Sequence, residues 1–168
     1  KQYVTLMPPS RVDDEPDVER LQRILGPIRV NAATLRALPT RLREAGFSGT
    51  AVLCGDRLID FEAGDTTEAC YAAAFDIGTT TLVGVLLNLR DGRELASTSR
   101  INPQTSYGDD VLSRILFARD MVGGLKQIHG EIVAAVNGML HELAEKSGLP
   151  THLIYGVTFA GNTTMQTL

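Results

Sequence analysis

AFDIGTTTLVGVLLNLRDG, residues 74–92, decides the reading of this 168-residue chain. An apolar strand delivers Asp76, the turn Gly78-Thr79-Thr80-Thr81 follows, and a near-continuous apolar run over 82–89 gives a second strand. Asp91-Gly92 is a strong reversal signal and leads to a third strand, Glu94–Ile101. Gly78 has no side chain, so backbone can close on a charged ligand there. Thr79, Thr80 and Thr81 offer hydroxyl and amide donors, and Asp76 supplies a carboxylate of the kind that suits Mg²⁺. The pattern predicts a three-stranded meander with a phosphate-binding turn between its first two strands.

Downstream, Asn102-Pro103 breaks the third strand and Tyr107-Gly108 leads to a helix that begins with Asp109 and Asp110, acids that complement the helix dipole. Val111, Leu112, Ile115 and Leu116 give that helix a core stripe, and Gly123-Gly124 ends it. A longer helix over 125–146 carries Ile128, Ile132, Val133, Val136, Leu140 and Leu143 on one side and stops at Gly148 and Pro150. A strand over 153–159 then runs into Ala160-Gly161-Asn162-Thr163-Thr164. The order βββααβ predicts a mixed sheet with helices against one face.

Upstream, residues 1–18 combine a short apolar start, three prolines and an acidic patch, which suits an extended linker. A helix begins at Asp17 with Val18, Leu21, Ile24 and Leu25 on one face, and Gly26-Pro27 stops it. Asn31 is a good N-cap for a second helix through Leu35 and Leu38; Pro39 interrupts it and can open a new helix ending at Gly46. Strands over 50–54 and 58–62 flank Gly55-Asp56-Arg57 as a hairpin. The small residues of 63–73 mark a boundary near residue 70. The expected organisation is a linker over 1–18, a small α+β middle domain over 19–70, and the sheet-and-helix part over 71–168.

Composition excludes several functions. An apolar content of 43% is enough for a packed core, and a net charge of −4 offers no basic field for nucleic acid. No apolar run reaches the roughly 18 residues of a membrane span and no signal-peptide pattern opens the chain, so a soluble, cytoplasmic protein is expected. Cys54 and Cys70 form no CxxC and read as reduced, small core or boundary residues that cannot build an iron–sulfur centre. His129 and His141 point roughly 120° apart on one helix and His152 lies in a loop, so solvated histidines are expected. No Ser-His-Asp or Cys-His arrangement gives nucleophilic catalysis a foothold.

The turn resembles the first phosphate motif, Asp-x-Gly-Thr-Thr, of the actin, hexokinase and sugar-kinase superfamily. With NPQTSYGDDVLSRI over 102–115 and GVTFAGNTTM over 156–165, the three motifs in this order resemble the ATPase domain of reductive activators of corrinoid proteins. That resemblance covers 72–168 well and 1–71 loosely. It implies an α/β, overall α+β, chain in which the small module precedes an incomplete actin/hexokinase-like, ribonuclease H-like half-domain with a mixed sheet. It implies ATP and Mg²⁺ as ligands, with Asp76 organising the metal mainly through water and Gly78, Thr79, Thr80 and Thr81 facing the phosphates. Gly161, Asn162 and Thr163 would approach the terminal phosphate. It also implies a corrinoid protein as partner, reduced from Co(II) to Co(I), and a [2Fe-2S] cluster in the full-length protein but not in this chain. The absent cluster domain, the first residue Lys1 and the end at Leu168 suggest a fragment whose own activity is in doubt; homodimerisation stays open.

Each candidate also has a plainer reading. Asp76 follows Phe75 in a strand expected to be buried, where an uncompensated carboxylate costs several kcal/mol; it serves a ligand or caps the turn through its side chain. Gly161-Asn162-Thr163-Thr164 lies at a strand end, where α/β sheets hold ligands, and Asn162 or Thr163 could equally cap a helix. Gln104 and its Asn-Pro-Gln turn are similarly divided. Asp109 and Asp110 start a helix or contact a metal or water. Two other functions compete: a small-molecule kinase of the sugar- or acetate-kinase kind, for which no candidate base is evident, and a non-catalytic protein-interaction fragment.

Overall fold

A computed structural model describes residues 1–165 and residue 167. The chain forms two compact units, residues 1–69 and 70–168. Each is built on a mixed four-stranded sheet.

In the first unit the elements run β1 (Gln2–Thr5), α1 (Asp17–Leu25), β2 (Arg29–Val30), α2 (Ala32–Glu44), β3 (Ser48–Cys54) and β4 (Arg57–Ala63). The sheet order is β1-β3-β4-β2, with β2 parallel to β4 and the other neighbours antiparallel. The hairpin and both helix starts agree with the sequence reading. Two features do not. The start of the expected linker is instead a strand: Val4 and Leu6 alternate into the core while the Tyr3 and Thr5 hydroxyls bond the Ser48 hydroxyl at 2.7 and 3.0 Å. Pro39, expected to divide two helices, lies inside one. It removes a single donor to the preceding turn, and the burial of Leu38 and Leu42 on either side keeps the helix continuous.

The second unit follows the order β5 (Tyr71–Ile77), β6 (Thr81–Asn88), β7 (Glu94–Ile101), a 3₁₀ turn (Pro103–Tyr107), α3 (Val111–Asp120), α4 (Gly124–Ser147), a second 3₁₀ turn (Thr151–Leu153) and β8 (Ile154–Gly161). The sheet order is β7-β6-β5-β8, antiparallel except for the parallel pair β5–β8. This is the βββααβ order expected from the sequence. Ala73, Phe75, Ile77, Leu82, Leu86 and Ala96 turn one sheet face onto Met139 and Leu143 of α4. Gly84 stands opposite Phe75, and a Cβ there would lie 2.7 Å from the Phe75 ring, so only glycine lets the ring lie flat on β6. Lys146, then Thr98 and Arg100, hold the Glu142 carboxyl down at about 2, tying α4 to β7.

Helix α3 departs from its expected packing. Leu112, Ile115 and Leu116 are exposed, Leu112 at 64%, and the fully buried side chain is Arg114. Val133 of α4 is likewise exposed rather than core. Among the described residues no helix is long and apolar enough to cross a membrane.

Candidate phosphate-binding site

The ends of β5 and β8 run side by side, with Asp76 in register with Ala160 and Ile77 with Gly161. That pairing brings the first and third sequence motifs together. The Gly78 N–H donates to the Thr81 carbonyl at 3.0 Å, closing a tight turn, and a Cβ on Gly78 would lie 2.6 Å from that same oxygen. Glycine is required here by the close approach of backbone. Asn162 Nδ2 then donates to Thr79 Oγ1 at 3.3 Å, a direct link between the two motifs.

Asn162 also does what the plainer reading assigned it. Its Oδ1 accepts from the N–H groups of Thr164 and Met165, each at 3.0 Å, so it caps the turn that follows β8. Capping and tethering use opposite ends of one carboxamide and coexist. Thr163 is exposed and Gly161 is half-buried.

Asp76 corrects the expectation of burial. Ala73, Phe75 and Ile77 point to the α4 side, so the alternation of the strand places Asp76 on the opposite face, where it is exposed. Its carboxylate has no hydrogen bond or ion pair among the described residues. The face it occupies is the one opposite α4. A cleft of about 540 Å³ lies on the other face, between β8 and α4, lined by Ile77, Ile132, Val136, Phe159, Gly161 and Met165.

Two buried residues of the 102–115 motif make contacts that no local sequence pattern displays. Asn102, fully buried, donates from Nδ2 to the Gly78 carbonyl at 2.8 Å, and its own N–H donates to the Thr80 carbonyl at 2.8 Å. Its Oδ1 accepts from the Gln104 N–H at 2.9 Å, so the start of the Asn-Pro-Gln turn is a clamp on the Gly78 turn. Gln104 is itself buried; its Nε2 donates to the Ile128 carbonyl at 3.3 Å while its Oε1 has no partner. The second residue is Arg114, whose Nε donates to the Gly108 carbonyl at 2.9 Å. Burial pushes its guanidinium pKa down, and the fields of Asp109 and Asp110 only partly oppose this.

Of the remaining candidates, Asp110 has a structural role. Asp110 caps α3 by accepting from the Ser113 N–H at 2.7 Å, and that bond holds its carboxyl below the usual range. Asp109 is exposed. Tyr107 donates to Glu131, which raises the phenol's pKa. His129, His141 and His152 are exposed. Cys54 is exposed rather than core, and Cys70 is half-buried.

The turn fits a metal-bound polyphosphate. Asp76 offers one partnerless carboxylate, and Thr79 and Thr80 present N–H groups that bond no other described residue. The described residues contain no group of three or more His, Cys, Asp or Glu side chains that could hold a metal ion alone, so a metal here would need oxygens from its ligand and water. Cys54 and Cys70 do not fit an iron–sulfur cluster.

Residues 71–168 match the family model for the RACo middle region and residues 1–68 that for the RACo linker region. The chain belongs to the RACo family, and the resemblance read from its three motifs is borne out. These descriptions put "linker" on 1–68 and "middle" on 71–168, where the sequence reading put them on 1–18 and 19–70. Over 115 residues, 68% of this chain, it is 34% identical to the corrinoid activation enzyme RamQ of Eubacterium limosum, and the match covers 19% of that protein. A solved structure of a reductive activator for corrinoid, iron-sulfur protein is 29% identical, with a TM-score of 0.79 over 98% of this chain and 28% of that one. The chain therefore matches less than a third of the length of either relative.

Proposed function

We propose that this chain is a section of an ATP-dependent activator that reduces the cobalt of a corrinoid protein from Co(II) to Co(I), with electrons from an iron–sulfur centre carried elsewhere in the full-length protein. Its part in that activity is the first phosphate turn. Asp76 would hold Mg²⁺, mainly through water, and the N–H and hydroxyl groups of Thr79, Thr80 and Thr81 would face the phosphates across the space that Gly78 leaves. Bound Mg·ATP would supply the free energy for an otherwise unfavourable electron transfer. Asn102 keeps the turn in shape before ligand arrives, so little ordering is required on binding.

One observation carries the reading: Asn162 donates to Thr79 at 3.3 Å, so the third motif is fastened to the first. Thr79 accepts from Asn162 and keeps its own hydroxyl hydrogen and N–H to donate to a ligand, so a ligand bound there would sit directly beside the end of β8, which gives that end a way to respond to nucleotide. The names of the relatives supply the corrinoid partner, and Asp76 without an internal partner supports the metal.

The test is reduction of a Co(II) corrinoid protein by the full-length protein, followed by the Co(I) absorbance. Wild type is expected to need Mg·ATP, and Asp76→Ala to lose at least about ten-fold of the nucleotide-dependent rate, as removal of one electrostatic anchor does. A rate indifferent to nucleotide, or equal in Asp76→Ala, contradicts the reading.

A further inference from the structure

Among the described residues of the second unit, Arg114 is a buried charge that the site as described leaves without a role. Its side chain is fully buried, yet no carboxylate pairs with it among the described residues. Nε holds the Gly108 carbonyl; Nη1 reaches only the Met165 sulfur, at 4.0 Å; Nη2 has no partner. The nearest acids in sequence do not satisfy it: Asp110 is occupied as the cap of α3 and Asp109 is exposed. A guanidinium taken out of water without a counter-charge is strongly disfavoured.

Its position relative to the turn gives that cost a use. The Met165 sulfur that touches Nη1 also lies 3.9 Å from Asn102 Nδ2, and the same Nδ2 holds the Gly78 carbonyl at 2.8 Å. One thioether and one carboxamide thus separate the buried cation from the back of the phosphate turn. The turn itself, 76–81, contains no lysine or arginine. Through a packed path that excludes water the field of Arg114 is weakened far less than that of an exposed charge.

We propose that Arg114 is a positioning residue of this site: a buried cation behind the Gly78 turn, acting through Met165 and Asn102, that favours ligands according to the number of phosphate charges they bring. The inference rests on the reading of the turn as a polyphosphate site and deepens it. Arg114 does not touch the ligand; it biases the turn toward triphosphate over diphosphate, the difference being about one negative charge.

The experiment measures Mg·ATP and Mg·ADP affinities of the full-length protein by calorimetry in wild type, Arg114→Gln, Arg114→Met and Arg114→Lys, with a thermal melt of each variant. The neutral variants should lose roughly ten-fold of the ATP-over-ADP preference, the size expected of one charge acting over about 10 Å in a partly polarisable interior. Arg114→Lys should retain it. A purely structural arginine would lower both affinities by the same factor; an unchanged preference in Arg114→Gln or Arg114→Met overturns the proposal. A second measurement needs no variant: the wild-type preference should persist when salt is raised to about 1 M, where exposed charges are screened within about 3 Å. A preference that vanishes with salt also overturns it. If wild type binds neither nucleotide, the polyphosphate reading itself has failed, a result distinct from either of these.

Discussion

Arg20 and Arg114 are both buried, at 5% and 0% exposure, and on opposite terms. Arg20, in the first unit, grips the Asp13 carboxylate with two bonds of 2.7 and 2.8 Å and reaches the carbonyls of Met7, Asp13 and Glu15. The bond to Asp13 pushes its pKa up and that of Asp13 down. Arg114, in the second unit, has one carbonyl and a sulfur, and burial pushes its pKa down. The same contrast runs through the apolar surface. Helix α2 buries Leu38 and Leu42 and, of its leucines, exposes only Leu35, whereas α3 leaves Leu112, Ile115 and Leu116 exposed and β8 leaves Phe159 exposed. The two buried arginines thus differ in kind: the first unit pairs its buried guanidinium with a carboxylate, and the second leaves its own without one among the described residues, linked through Met165 and Asn102 to the Gly78 turn.

Mutations can break or sharpen that contrast. The largest difference should come from matched truncations: Leu42→Ala, at a fully buried position, should cost about 3 kcal/mol, while Leu116→Ala should stay within about 0.5 kcal/mol. Urea unfolding of both variants is the check, and equal losses would mean that α3 is as well packed as α2. A smaller effect is expected at the clamp. Asn102→Ala removes two side-chain bonds to backbone in a buried setting and should cost about 2 kcal/mol. Unlike Leu42→Ala, it should also weaken nucleotide binding, because the Gly78 carbonyl loses its tether. A stability loss with nucleotide affinity intact would separate the clamp from the site.

The legible parts of the sequence were those where local chemistry and final structure agree. Asp91-Gly92 and the alternation around it specify the β6–β7 reversal, and Asn31 caps α2 by accepting from the Thr34 N–H at 2.9 Å as its residue type suggests. The misreadings have physical causes. β1 is only four residues long and is followed by Pro8 and Pro9, so Val4 and Leu6 are too short a pattern to outweigh the prolines. The expectation that Asp76 is buried comes from residues 71–77 being apolar on both faces; alternation alone sets it on the face opposite Phe75, where it is exposed. Asn102 read as a strand breaker, because its bonds to Gly78 and Thr80 are made across 24 and 22 positions of sequence and leave no local trace. Arg114 was unreadable for a similar reason: an arginine between Ser113 and Ile115 looks like a solvated helix face, and only the packing reveals its burial.

The central claim is that the bend after β5 accepts a metal-bound polyphosphate, and calorimetric titration of Mg·ATP into the full-length protein and its Gly78→Val variant tests it most directly. The account predicts saturable binding by wild type and a loss of about a hundred-fold, equivalent to about 2.7 kcal/mol, in the variant, whose Cβ would press on the Thr81 carbonyl and force the bend open. Absence of binding by the wild type, or the same isotherm for both proteins, would contradict it.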